Sequence, residues 1–238
     1  MSKNLLIALF SCTFLLNAFL FESFSQNSIY FNHISTDDGL SQNDINSIYQ
    51  DKEGFMWFAT HDGLNKYDGY NFTIYNPDRG NPNSINSNLI FTITGDEKGN
   101  LWVGTTGSGL NYFDKSLDKF FHFTHDEKNP QSISNSHVST VYRDKKDRLW
   151  VGTPSGISIL DLKTSLDSKS FHNINLSEVS RIYEDSKGNI WAGSNEGLHK
   201  VLTDHDGNYK VRKINNEINI PDHVSLRGLT EDNFGRLI

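Results

Sequence analysis

Cysteine is almost missing from this sequence: the one thiol, Cys12, lies inside an apolar N-terminal run. The remainder of the chain can form no disulfide and no cysteine metal site, so packing must hold it together. Basic residues are in deficit too, with 22 Lys and Arg against 29 Asp and Glu, a formal net charge of −7. A protein that grips a phosphate backbone needs clustered Lys and Arg, and the one notable cluster, Lys145, Lys146 and Arg148, sits within a turn; no nucleic-acid partner is expected. Metal chemistry has little support. The nine histidines include no His-Glu-x-x-His pair, and His122 and His125 stand three apart in what reads as a strand, a spacing that puts them on opposite faces. The stretch "DHDGN", Asp204 to Asn208, begins like a calcium loop but lacks its later bidentate Glu, and a hairpin turn explains it better. Neither metal nor cofactor is expected.

Long apolar runs are confined to one place. Lys3 precedes "LLIALFSCTFLLNAFLF", Leu5 to Phe21, and the small residues Ser23 and Ser25 flank Phe24 just before Gln26. Residues 1–25 read as a signal peptide, which predicts export to the periplasm; the run is shorter than the ~20 residues of a spanning helix, so an uncleaved anchor is the weaker reading. With 36% hydrophobic and 21% charged residues, the chain has the composition of a soluble globular protein.

What fills that composition is a sentence written repeatedly: "DKEGFMWFATHDGL" from Asp51, "DEKGNLWVGTTGSGL" from Asp96, "DKKDRLWVGTPSGI" from Asp144 and "DSKGNIWAGSNEGL" from Asp185. A fifth copy begins at Asp232 as "DNFGRLI". Trp57, Trp102, Trp150 and Trp191 recur every 41 to 48 residues, the period of four-stranded propeller blades. Asp51 with Gly54, Asp96 with Gly99 and Asp185 with Gly188 have the spacing of a type I turn, Asp first and Gly fourth; Asp147 replaces the glycine after Asp144. These aspartates are therefore expected as hairpin corners rather than catalysts. Each Trp, followed two residues later by Gly or Ala, predicts a strand that fills the gap between blades while letting backbones approach, and all four tryptophans are expected in the core. Apolar residues stand six and three positions ahead of each Asp, as in Ile90 and Ile93 or Val138 and Val141, a spacing that is not strict alternation. Burial on both faces or a β-bulge would each account for it.

The stretch "DDGLSQNDINSIYQDKEGFMWFATHDGLNKYDGYNFTIYNPDRGNPNSI", Asp37 to Ile85, resembles the two-component regulator propeller repeat, and the similarity extends over essentially everything after residue 28. The fold class is thus all-β, a β-propeller of four-stranded blades, with residues 26–238 as the repeat domain. At about 45 residues per blade this makes roughly four and three-quarter blades, an incomplete part of the seven-bladed ring that the resemblance implies, with the fifth repeat cut. "SIYFNHIST", Ser28 to Thr36, is open to assignment as a strand of the ring's last blade.

The resemblance also implies a function. Such propellers form the periplasmic, ligand-sensing part of hybrid two-component histidine kinases that regulate polysaccharide-utilisation genes, often in answer to an oligosaccharide. The partners implied are an oligosaccharide or other small ligand, the remainder of the propeller and a kinase, in a homodimeric, membrane-tethered whole. No kinase core is present in this sequence, so the chain itself is not expected to be an enzyme. The alternative is a free exported propeller, either a lyase-like or glycan-processing enzyme or a binding scaffold. Adjacent carboxylates such as Asp37 with Asp38 and Glu231 with Asp232 point opposite ways on a strand and make no acid and base pair. For ligand contact, the turns after the Trp strands vary most between copies and emerge opposite the Asp corners, which makes His61, Asp62, Ser108, Asn195 and Glu196 the candidates.

Overall fold

The computed structural model describes residues 30–163, 170–204, 207–217, 221 and 224–238. The expected signal peptide, residues 1–25, lies outside them. Residues 1–33 and 34–238 are separate compact units. Tyr30 to Ser35 carry no strand, and Tyr30 and Phe31 are exposed.

Residues 34–238 hold sixteen strands in four antiparallel sheets, each taken up by the chain in order. The first blade has β1 Ile45–Gln50, β2 Met56–Thr60, β3 Gly63–Tyr67 and β4 Phe72–Tyr75. The second has β5 Ile90–Gly95, β6 Leu101–Thr105, β7 Leu110–Asp114 and β8 Lys119–Phe123. The third has β9 Thr140–Arg143, β10 Arg148–Thr153, β11 Gly156–Asp161 and β12 His172–Asn175, and the fourth β13 Arg181–Glu184, β14 Ile190–Ser194, β15 Gly197–Thr203 and β16 Tyr209–Lys213. The first strands of consecutive blades, β1, β5, β9 and β13, touch one another in sequence and so line a common axis. This is the expected propeller of four-stranded blades.

The corners form as their residue types require. Asp51 Oδ1 accepts from the Glu53 and Phe55 N–H groups, and the same pair of bonds recurs at Asp96, Asp144, Asp185 and Asp232. Gly54 stands at φ 91° and Asp147 at φ 63°, so the fourth turn position is left-handed in both, and Asp is among the side chains that tolerate it. The second carboxylate oxygen does work the spacing did not announce. It accepts from the indole Nε1 of the blade's own tryptophan at 2.9 Å in Asp51–Trp57, 2.8 Å in Asp144–Trp150 and 2.9 Å in Asp185–Trp191, whereas Asp96 accepts from the Asn100 amide. The corner therefore ties down the wedge.

There is no single central core; three hydrophobic clusters lie between successive blades. Trp57 packs against Phe113 of the second blade, with centroids 5.9 Å apart, and Trp102 and Trp150 likewise head the clusters shared with the third and fourth blades. These three are 1% exposed. Trp191 departs from the expectation of a buried core residue: it is half-buried, and it lines a cavity of about 670 Å³ together with Ile214, Gly235 and Leu237. The Gly that follows the second wedge is a close approach, since a Cβ on Gly104 would meet the side chains of Thr92 and Val138 at 2.5 Å; Ala59 takes this place in the first blade.

In the first two blades the spacing of the apolar pair resolves as a bulge; in the third and fourth the strand pairing is regular, and Val138 and Val179 stand before the strand begins. β1 and β5 each shift register after their first residue, at Ile45/Ser47 and Ile90/Thr92, so residues three apart share one face. Ile90 and Ile93 are buried, as are Val138 with Val141 and Val179 with Ile182, whereas Ile48 of the first blade is 57% exposed.

Candidate functional site

Register fixes which ends of the strands share a face. Ile45 pairs with Thr60 and Thr60 with Gly63, so the start of β1, the end of β2 and the start of β3 lie together, opposite the Asp corner; β13, β14 and β15 repeat this through Arg181, Gly193, Ser194 and Gly197. The turn of one blade is stitched there to the segment leading into the next. The Gly63 N–H donates to the Asn88 carbonyl at 2.8 Å, Gly109 to Ser136 at 2.7 Å, and Glu178 donates back to Pro154 at 3.0 Å.

At the axial end of this face opens a cavity of about 500 Å³, lined by Phe91, His137, Ser139, Pro154, Glu178, Val179, Ser180, Arg181, Ser225 and Arg227. The residues come from equivalent places in successive copies. Phe91, Ser139, Ser180 and Arg227 each follow the first apolar residue of the inner strand, and His137, Glu178 and Ser225 each precede it. The register shift at Ile90/Thr92 falls at Phe91, whereas Ser139 and Ser180 stand just before the regular ladders of β9 and β13. Glu178 is held at φ 45°, left-handed backbone that a Glu rarely adopts, by the bond of its N–H to Pro154. The Phe91 and His137 rings lie 6.1 Å apart. The Ser180 hydroxyl donates to the Leu226 carbonyl, which draws the fifth copy against the fourth. Arg181 Nη1 donates to the Ser180 carbonyl at 3.2 Å, and neither Arg181 nor Arg227 is ion-paired with any described residue.

The residues anticipated from sequence sit on turns of the same face, and none of them lines this cavity. His61 and Asp62 are exposed on the first blade's turn; the His61 N–H donates to the Gln42 side chain at 3.0 Å, and Asn88 reaches Asp62 at 3.5 Å. The Ser108 carbonyl accepts from Asn86 at 2.8 Å, and the Glu196 carbonyl from Asn215 at 2.9 Å. Asn195 Oδ1 is buried without a hydrogen-bond partner. Asn195 and Glu196 share one turn, as do His61 and Asp62, and the pairs belong to different blades. Sequence reasoning passed over His137, Glu178, Arg181 and Arg227. The signal was available: beside the repeated apolar residue, the copies read Asn46, Phe91, Ser139, Ser180 and Arg227, four residue types in five copies.

Other groups have structural employment. His122 Nε2 donates to the Ser84 carbonyl at 2.9 Å and His125 Nδ1 to the Ile133 carbonyl at 2.7 Å, so the two rings fasten separate blade connections. No group of His, Cys, Asp or Glu among the described residues converges as a metal site. Burial pushes the Asp144 carboxyl up, but hydrogen bonds from the Arg148 N–H, the Trp150 indole and the Arg148 guanidinium outweigh it and hold the group below the usual carboxylate range; Asp185 is lowered in the same way. Burial, helped by Asp96, pushes the Tyr112 hydroxyl up to about 12.

Comparison with known proteins agrees with this architecture. The two-component regulator propeller profile matches residues 39–62, 84–107, 132–155 and 173–196, one match per blade, each spanning the end of a blade connection, the inner strand, the Asp corner and the Trp strand. Histidine kinase P4 of Formosa agariphila is 47% identical over 64 residues, which are 26% of this chain and 4% of that protein. Among solved structures, the extracellular domain of the putative hybrid two-component system BT4673 from B. thetaiotaomicron superposes with a TM-score of 0.65 at 22% identity, over 88% of this chain and 30% of that one. That of BT3049 gives 0.57 at 24% identity, over 87% and 33%. A streptogramin B lyase shares the fold at 13% identity with a TM-score of 0.57. The chain spans about a third of the solved ectodomains and a small part of the kinase. The two-component regulator propeller profile thus matches each of the four blades once, over 4 × 24 = 96 of the chain's 238 residues.

Proposed function

We propose that this chain supplies ligand-sensing blades to an exported sensor of the hybrid two-component kind, with the axial mouth as its recognition site and an oligosaccharide as its ligand class. The observation that carries the reading is that the repeat abandons its own pattern where the inner strands face the axis, and that these unlike side chains line one cavity. A structural repeat has no need of Phe91, Ser139, Arg181 and Arg227 in such company; a recognition surface does. His61, Asp62, Ser108, Asn195 and Glu196, on the surrounding turns, serve as outer contacts for a ligand longer than the cavity. The kinship with hybrid-system ectodomains and a histidine kinase supports the signalling context, in which a leader within residues 1–25 exports the chain and a homodimeric, membrane-tethered kinase completes the protein.

The test is to fill the mouth. Ser139→Trp in the full chain is expected to abolish binding of oligosaccharides followed by isothermal titration calorimetry, with an unchanged circular dichroism melt. Wild-type affinity in that variant would remove the mouth from the reading. A free exported enzyme, the second possibility, requires turnover; recovery of the ligand unaltered after long incubation excludes it.

A further inference from the structure

We propose that the mouth is selective for acidic saccharides, packing a sugar ring on Phe91 and holding a carboxylate or sulfate between Arg181 and Arg227. This rests on the reading of the mouth as the ligand site and narrows its ligand class. The chain carries a net charge of −7 and uses its guanidinium groups sparingly: Arg143 pairs with Asp147, Arg148 with Asp144, Arg212 with Glu217 and Arg236 with Asp232. Arg181 and Arg227 have no such partner among the described residues, yet both line the same concavity, joined there by His137. Two unpaired guanidinium groups in one cleft repel each other, and a bound anion relieves that repulsion while accepting from both forks. A walled cleft also concentrates their field against the prevailing negative charge of the surface. The half-buried Phe91 presents its ring to the same space, and the apolar C–H face of a pyranose fits such a surface. Glu178, the one carboxylate among the described lining residues, accepts from sugar hydroxyls and opposes a second acidic group placed beside it.

The experiment titrates the full chain with four tetrasaccharides: tetragalacturonate, its methyl ester, a sulfated galactan tetrasaccharide and neutral galactotetraose. The expected result is that at least one acidic probe binds about tenfold or more tighter than its uncharged counterpart, by the strength of charge-assisted hydrogen bonds. The better of the two acidic probes identifies carboxylate or sulfate as the group read. Arg181→Ala and Arg227→Ala should each erase that preference, and raising salt should weaken the acidic probe alone. Arg212→Ala, outside the mouth, should leave binding unchanged. Since Arg181 and Arg227 are exposed, their variants should melt with the wild type. Equal binding of acid and ester, or a preference that survives both Arg variants, overturns the acidic class and leaves the mouth standing as a site. Failure of all four probes to bind overturns the mouth as a saccharide site, and this inference with it.

Discussion

The two faces of these blades follow opposite rules. On the corner face the same Asp occurs five times, accepts the same backbone bonds each time and in three blades reaches the indole of its own wedge. On the mouth face equivalent positions carry Asn, Phe, Ser, Ser and Arg, and all but Asn46 line one cavity. The difference teaches where selection for folding stops: repetition marks the groups that satisfy one another, and its breakdown marks those left to satisfy something else.

The largest effect expected from breaking the repeated side is at the wedge. Trp102→Ala should cost about 3–5 kcal/mol in urea denaturation, as buried aromatic truncations do, whereas Trp191→Ala, half-buried, should cost clearly less. Equal losses would mean that the cores are not shared between blades as described. Next comes the corner. Asp144→Ala leaves the Lys146 and Arg148 N–H groups, the Trp150 indole and the Arg148 guanidinium without their acceptor, a loss of about 2–4 kcal/mol, and Asp144→Asn, which keeps one oxygen, should fall between.

Acid titration sharpens the same contrast. Asp144 and Asp185 have folded-state values below the ordinary one, so the stability they give is complete above the unfolded value of about 3.9 and is lost as pH falls through the lower folded values. Thermal melts followed downward from pH 5 should show this loss in the wild type and a shallower one in Asp144→Ala; an unchanged slope would dismiss the corner as its source. On the mouth face the effect should reverse in sign. Glu178→Gly relieves a left-handed backbone and should be neutral or stabilising by up to about 1 kcal/mol, while the mouth loses its carboxylate. Marked destabilisation would mean that the Glu side chain holds the blade junction.

Most of the fold was legible in the sequence and little of the site. Asp, Gly and Trp announced themselves because the same local physics, a turn and a wedge, is solved anew in each blade. The bonds from Asp51 to Trp57 and from Asp144 to Trp150 were not legible, since a six-residue separation says nothing until the hairpin folds one over the other. The bulge at Ile90/Thr92 was one of two open readings, and only strand pairing separates it from burial on both faces. Arg181 and Arg227 escaped notice because a position that varies among the copies resembles noise until the axis gathers its neighbours. The turn residues His61 and Glu196 were noticed because turns vary, and they lie on the mouth's face but on separate blades.

The shared cores also impose a schedule on the nascent chain. The first blade has its four strands by Tyr75, but Trp57 finds its packing partner Phe113 only when the second blade has emerged. Each sheet must therefore wait, with its aromatic wedge covered on its own side alone, for the one that follows. Assembly runs one blade late wherever the chain folds, and whatever guards it must shield a single unpaired sheet rather than an unfolded protein.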